Sequence, residues 1–176
     1  MKLLRTIRLD PSDQFIFPAA APPGEWAVSA GFLFADGEPA DLHGKELAAF
    51  RSGFLGFPSL GWSTLAQVVE VEEKERMAAI ELLARCLLER CGAPDAAAAR
   101  TVATEEIDFA ASLCEHPPDT LIALHRRNEG GAIREAFRSL RPRGDRTPWR
   151  AFSFEAAPEA PEETVDLSAL SGKPSE

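Results

Sequence analysis

Apolar and polar positions alternate most regularly between Trp26 and Phe34, where Trp26, Val28, Ala30, Phe32 and Phe34 fill every second position. A period of two puts these side chains on one face of an extended chain, so the pattern predicts a strand, closed by Asp36-Gly37-Glu38-Pro39. Lys2 to Leu9 also reads as a strand, with Leu3, Ile7 and Leu9 on one face and Lys2, Thr6 and Arg8 on the other. After the turn residues Asp10-Pro11-Ser12-Asp13, the run Phe15-Ile16-Phe17 is expected to return as the second strand of a hairpin. A short helix is expected over Lys45–Arg51, stopped by Gly53, and a Val- and Thr-rich strand over Ser63–Val71.

The period then changes to 3.6. Met77, Ile80, Ala84, Leu87, Leu88 and Cys91 recur at helical spacing between Glu72 and Cys91, with acids crowding the first turn and Gly92 and Pro94 closing the end. Asp95 can cap a second helix whose stripe is Ala99, Val102, Phe109, Ala110 and Leu113. The short connection predicts an antiparallel helical pair.

Thr120–Leu124 reads as a strand. Beyond Gly130-Gly131, the residues Ile133, Phe137 and Leu140 lie four and three apart, beside a parallel row of Arg134, Arg138 and Arg141. As a strand, this segment would place Glu135 and Ser139 on the face of Ile133 and Phe137, so a helix ended by Pro142 is preferred. A hairpin across Gly130-Gly131 is the alternative. The elements together predict an α+β fold: a mostly antiparallel sheet with the helical pair packed on one face.

Composition sets the limits of this domain. The chain has 176 residues, 45% of them hydrophobic and 27% charged, enough to bury a core without staples. Cys86, Cys91 and Cys114 sit within helical patterns, which suits a reducing compartment, and Arg5 and Arg8 interrupt any signal-like apolar run. The expected location is cytoplasmic, without membrane insertion. Proline and acidic residues dominate the C-terminal stretch, so the folded domain is expected to span 1–154, followed by a disordered acidic tail over 155–176.

Charge is distributed unevenly. The total is -9, yet Arg126 to Arg150 holds eight arginines against three acids, while Ala151 to Glu176 holds six acids against one lysine. Such segregation favours docking between the two segments, or separate surfaces for partners.

Candidate sites follow from residues that break their surroundings. Gly53, Gly56 and Gly61 lie among large apolar side chains including Trp62, a composition that can bring backbone amides to an anion or line a pocket with aromatics. The plainer reading is a tight connection packed into the core, and no Gly-Lys-Ser/Thr follows to make a phosphate loop. Gly61-Trp62-Ser63-Thr64-Leu65 lacks the second glycine of a nucleophile elbow. Cys114-Glu115-His116, with His125 further on, does not assemble a zinc ligand set, and Cys114 reads as a buried structural thiol. Glu106 points toward the apolar face of its helix, where a carboxylate must be protonated or paired with an arginine. No catalytic cluster, metal site or cofactor is expected. The row Arg134, Arg138 and Arg141 can bind phosphate or an acidic protein, with protein docking the favoured functional reading; the plainer reading is a solvated face or pairing within the chain. A pI near 4.9 and the lack of a reader motif argue against nucleic acid.

Several blocks of the chain, among them Met1 to Asp10, Pro23-Gly24-Glu25-Trp26, Ala49 to Gly56, Gly61 to Thr64 and Gly131 to Arg138, resemble an uncharacterised bacterial family, a domain of unknown function. The resemblance spans most of residues 1 to 141 and carries no assigned activity. It implies a setting beside biotin/lipoate-ligase-like proteins and formate dehydrogenase accessory factors, hence an accessory role.

The expected function is a non-catalytic accessory or interaction protein, serving assembly or maturation of a larger redox enzyme through the arginine face. The rival is a small-molecule binder or enzyme with a pocket beside residues 53–64 and Glu106 or His125 as its polar group. A homodimer through the helical pair is the third reading.

Overall fold

Leu3 and Leu4 are adjacent in sequence and both buried, so the strand that holds them is covered on both sides. This strand, β1 (Lys2–Ile7), lies inside a seven-stranded sheet. The computed structural model describes residues 1–35 and 41–140. Arg141, the domain boundary expected near Phe154 and the tail over 155–176 lie outside the described residues.

The other strands are β2 (Trp26–Val28), β3 (Phe54–Phe57), β4 (Trp62–Ser63), β5 (Leu65–Glu70), β6 (Leu121–Glu129) and β7 (Ala132–Leu140). They run in the order β4-β3-β2-β1-β5-β6-β7, and every strand pair is antiparallel. Four helices complete the described fold: α1 (Ser12–Ile16), α2 (Gly44–Ser52), α3 (Glu73–Arg90) and α4 (Ala96–Ser112). The expected α+β class and antiparallel sheet stand.

Local chemistry fixes the helical pair. At the start of α3 the Glu75 carboxylate accepts the Glu72 N–H at 2.8 Å, and at its end Gly92 adopts a φ of 76 while the Ala93 N–H returns to the Leu87 carbonyl at 3.1 Å. Asp95 then caps α4 by accepting the Ala98 N–H at 2.8 Å. Ion pairs join Arg76 to Asp108 and Glu81 to Arg100. Numbers that rise along α3 fall along α4, so the pair is antiparallel. Ile80, Leu83, Leu87, Ala99, Ala103 and Ile107 bury the facing stripes in the core shared with the sheet.

Four expected elements differ, and the first is the strand over Ser63–Val71, which divides at Thr64 into β4 at the sheet edge and β5 beside β1. The strand over Trp26–Phe34 stops at Val28, because Ala30 turns left-handed (φ 58) and Gly31–Phe34 form a 3₁₀ turn. The backbone groups at this break go to side chains: Glu106 takes the Ala30 N–H and Arg126 takes the Ser29 carbonyl. Phe15-Ile16-Phe17 is not a strand but the end of α1 and the residue after it. Buried Asp13 accepts the Thr64 N–H at 3.2 Å and its hydroxyl at 2.5 Å, which holds that short helix in place. Residues 132–140 form a strand in place of the preferred helix. Gly130 and Gly131 both have positive φ (61 and 84), as a two-residue hairpin turn needs, so β6 and β7 pair along nine positions from Leu121↔Leu140 to Glu129↔Ala132.

Candidate functional site

Along β6 the buried positions alternate: Ile122, Leu124 and then Arg126. The third is an arginine with 0% side-chain exposure. A guanidinium carries five N–H donors in a rigid plane, and burying it demands an acceptor for each. Here Nε donates to Glu135 Oε1 at 2.6 Å. One terminal nitrogen donates to the Ala49 and Phe50 carbonyls at 3.3 and 2.7 Å. The other donates to Gly53 at 3.1 Å and to Ser29. Ala49 and Phe50 lie in the last turn of α2, so the cation also sits at the negative end of that helix dipole. Burial pulls the Arg126 guanidinium below its ordinary value, and the hydrogen-bonded Glu135 carboxylate opposes that pull.

Glu135 stands directly across from Arg126 in the hairpin register. Its side chain is 17% exposed and lies against Gly31, where an added Cβ would meet Oε1 at 3.1 Å. Glu106 approaches the same cluster from α4, with Oε2 accepting the Ala30 N–H at 3.2 Å. Desolvation pushes the Glu106 carboxyl up to about 7; the Ala30 bond and Arg126 oppose the rise, and Glu135 adds to it. The carboxylate that the sequence placed on an apolar helix face therefore shares the field of a buried arginine it does not directly bond.

Two open depressions flank this pair. One, of about 360 Å³, is walled by the 3₁₀ turn and β7 through Gly31, Phe32, Phe34, Ile133 and Glu135. The other, of about 580 Å³, lies between α2 and β6 and is lined by Arg51, His125, Arg126 and Arg127 together with Leu47 and Phe50. No carboxylate lines the second depression. With Arg126 neutralised by Glu135 and Arg127 paired with Glu129 at 2.8 Å, Arg51 supplies the remaining positive charge of its lining.

The outer face of the hairpin is basic as well. Register places His125, Arg127, Arg134 and Arg138 on the face opposite Arg126 and Glu135. Arg127 and Arg134 oppose each other directly and share Glu129, at 2.8 and 3.8 Å. Because residues four apart share a face in a strand as in a helix, Arg134 and Arg138 still form a row. Arg141, the third member, lies outside the described residues.

The glycine-rich stretch has a different role. An added Cβ would meet a neighbouring atom at 2.7 Å on Gly53, 2.7 Å on Gly56 and 2.6 Å on Gly61. These glycines let Trp62, Ala21 and the backbone at Ala20 approach closely. Trp62 packs on Phe34 with centroids 5.6 Å apart. None of the four lines either depression. Ser63 is buried, with its hydroxyl donating to the Ile7 and Leu65 carbonyls. Cys114 is buried on α4's extension, its thiol donating to the Ala110 carbonyl at 3.2 Å and pushed up to about 12 by desolvation.

Arg126 and Glu135 are the residues that sequence reasoning missed. Their signal was present: a polar residue at the buried phase of each of two neighbouring strands, joined by a Gly-Gly turn.

The chain matches a family of unknown function, DUF6505, over residues 1–157, and it belongs to that family. No curated protein and no solved structure matches it.

Proposed function

We propose that this DUF6505 chain is an accessory protein that binds an acidic segment of a protein partner through the basic surface around the β6–β7 hairpin. The observation that carries this reading is the depression lined by Arg51, His125 and Arg127 with no carboxylate in its lining, continued on the hairpin's outer face by Arg134 and Arg138, in a chain of net charge -9. A local basic surface on an acidic protein steers acidic partners toward one place and repels them elsewhere. Arg134 and Arg138 extend that surface along β7.

A larger redox enzyme under assembly or maturation is the partner class this reading favours, following the setting implied by the sequence resemblance. The rival pocket beside residues 53–64 has less support, since close packing leaves no room for a ligand at Gly53, Gly56 or Gly61.

Native co-purification followed by mass spectrometry tests the proposal, comparing the wild-type chain with an Arg134→Glu/Arg138→Glu variant. Recovery of a partner with the wild type and its loss with the variant is the expected result. Equal recovery of every partner by both proteins would refute it.

A further inference from the structure

Among the described residues, the hairpin's outer strand is open along one side. Strand β7 ends the sheet order, so among the described residues no strand pairs with its far edge. Nine residues of open ladder invite a further strand, and folded proteins ordinarily shorten, cover or charge such an edge.

Register tells which backbone groups face outward. A two-residue turn closes on a hydrogen-bonded pair, here Glu129↔Ala132, and bonded pairs alternate from there. Ala132, Arg134, Ala136, Arg138 and Leu140 thus spend their backbone groups on β6. Ile133, Glu135, Phe137 and Ser139 turn their N–H and C=O groups to the open edge.

Side chains on either face add chemistry to that edge. Arg134 and Arg138 stand on the outer face, about 13 Å apart along the strand. On the inner face, the depression formed by Phe32, Phe34, Ile133 and Glu135 takes its walls from the 3₁₀ turn and β7, with no residue of β6. It is a partly aromatic recess on the inner face of β7, near the hairpin turn at Gly131.

We propose that the acidic partner docks by adding an extended segment to the edge of β7, with carboxylates opposite Arg134 and Arg138 and an apolar side chain entering the Phe32–Phe34 recess. The inference rests on the acidic-partner reading above and specifies its mode. Backbone pairing supplies affinity in this kind of recognition, and alternate side chains supply specificity. The segment that fits alternates acidic and apolar residues. In a second copy of this chain, a two-fold antiparallel pairing centred on Ala136 sets Arg134 directly against Arg138 of the other copy, which disfavours that register.

The test uses the full chain and a synthetic peptide of alternating glutamate and valine. Ser139→Pro removes one outward N–H from the edge and leaves the ladder to β6 intact; Ser139→Ala is its control. Ser139→Pro is expected to weaken peptide binding about tenfold while Ser139→Ala does not. Hydrogen exchange provides a readout that needs no variant: on binding, the amides of Ile133, Glu135, Phe137 and Ser139 gain protection. Peptide binding that is lost in Arg134→Glu/Arg138→Glu, yet unchanged in Ser139→Pro and without protection of those amides, overturns strand addition and leaves the acidic-partner reading in place. A wild-type chain that does not bind the peptide overturns the proposal, and the co-purification result then decides the broader reading. A dimer that dissociates in Ser139→Pro assigns the edge to a second copy and also overturns it.

Discussion

Arg126 and Glu135 face each other across the β6–β7 ladder, and the guanidinium Nε meets the carboxylate at 2.6 Å with no solvent on the arginine side. The same arginine bonds carbonyls from α2, from the residue that follows α2 and from the residue that follows β2. It joins segments 97 residues apart in sequence. Arg126→Met keeps the apolar stem but removes the donor from Glu135 and from the Ser29, Phe50 and Gly53 carbonyls, while the Ala49 carbonyl keeps the Gly53 N–H. Equilibrium denaturation should show a loss of roughly 3–5 kcal/mol. A loss below about 1 kcal/mol would mean that the buried pair does not hold these segments together.

Glu106 gives stability a specific pH dependence. Its folded value of about 7 lies above the ordinary 4.5 because burial disfavours the charged form. A raised value means its contribution is fully present below about 4.5 and is lost as pH rises through about 7. Glu106→Gln stays neutral and keeps an oxygen to accept the Ala30 N–H. The difference in thermal midpoint between variant and wild type should therefore shift in the variant's favour from about pH 5 to about pH 8. A difference that stays constant over that range would count against a desolvated carboxyl.

Close packing at the glycines ranks two substitutions. In Gly56→Ala the new methyl meets mostly side-chain atoms of Ala21, Thr6 and Glu25, and in Gly61→Ala it meets the backbone of Ala20 and Ala21. Backbone moves less readily than side chains, so Gly61→Ala should destabilise more. Gly56→Ala should cost about 1–3 kcal/mol. Thermal melts of the two variants check the order.

Periodicity made the helical pair legible, since propensity and caps agree from Glu73 to Ser112, although Met77, Leu88 and Phe109 of the expected apolar stripes are exposed. It failed where tertiary partners outweigh local pattern. The alternation from Trp26 to Phe34 is as regular as any in the chain, yet Ala30 leaves the strand because Glu106, 76 residues later, accepts its N–H. Residues 132–140 misled for the opposite reason. Glu135 looked wrong for the inward face of a strand because its cation, Arg126, lies across the turn. Glu135, half-buried, is one half of an ion pair that satisfies it on the inward face of the strand. Glu106 was legible as a carboxylate aimed at the core, but its neighbours were not, as they come from β6 and β7.

The most direct measurement of the acidic-partner claim is fluorescence anisotropy of a labelled glutamate–valine peptide against the full chain at increasing salt. Electrostatic docking at Arg134 and Arg138 predicts affinity that falls steeply as salt rises and disappears in Arg134→Glu/Arg138→Glu, with the thermal midpoint of that variant unchanged. Binding that is indifferent both to salt and to charge reversal would contradict the account.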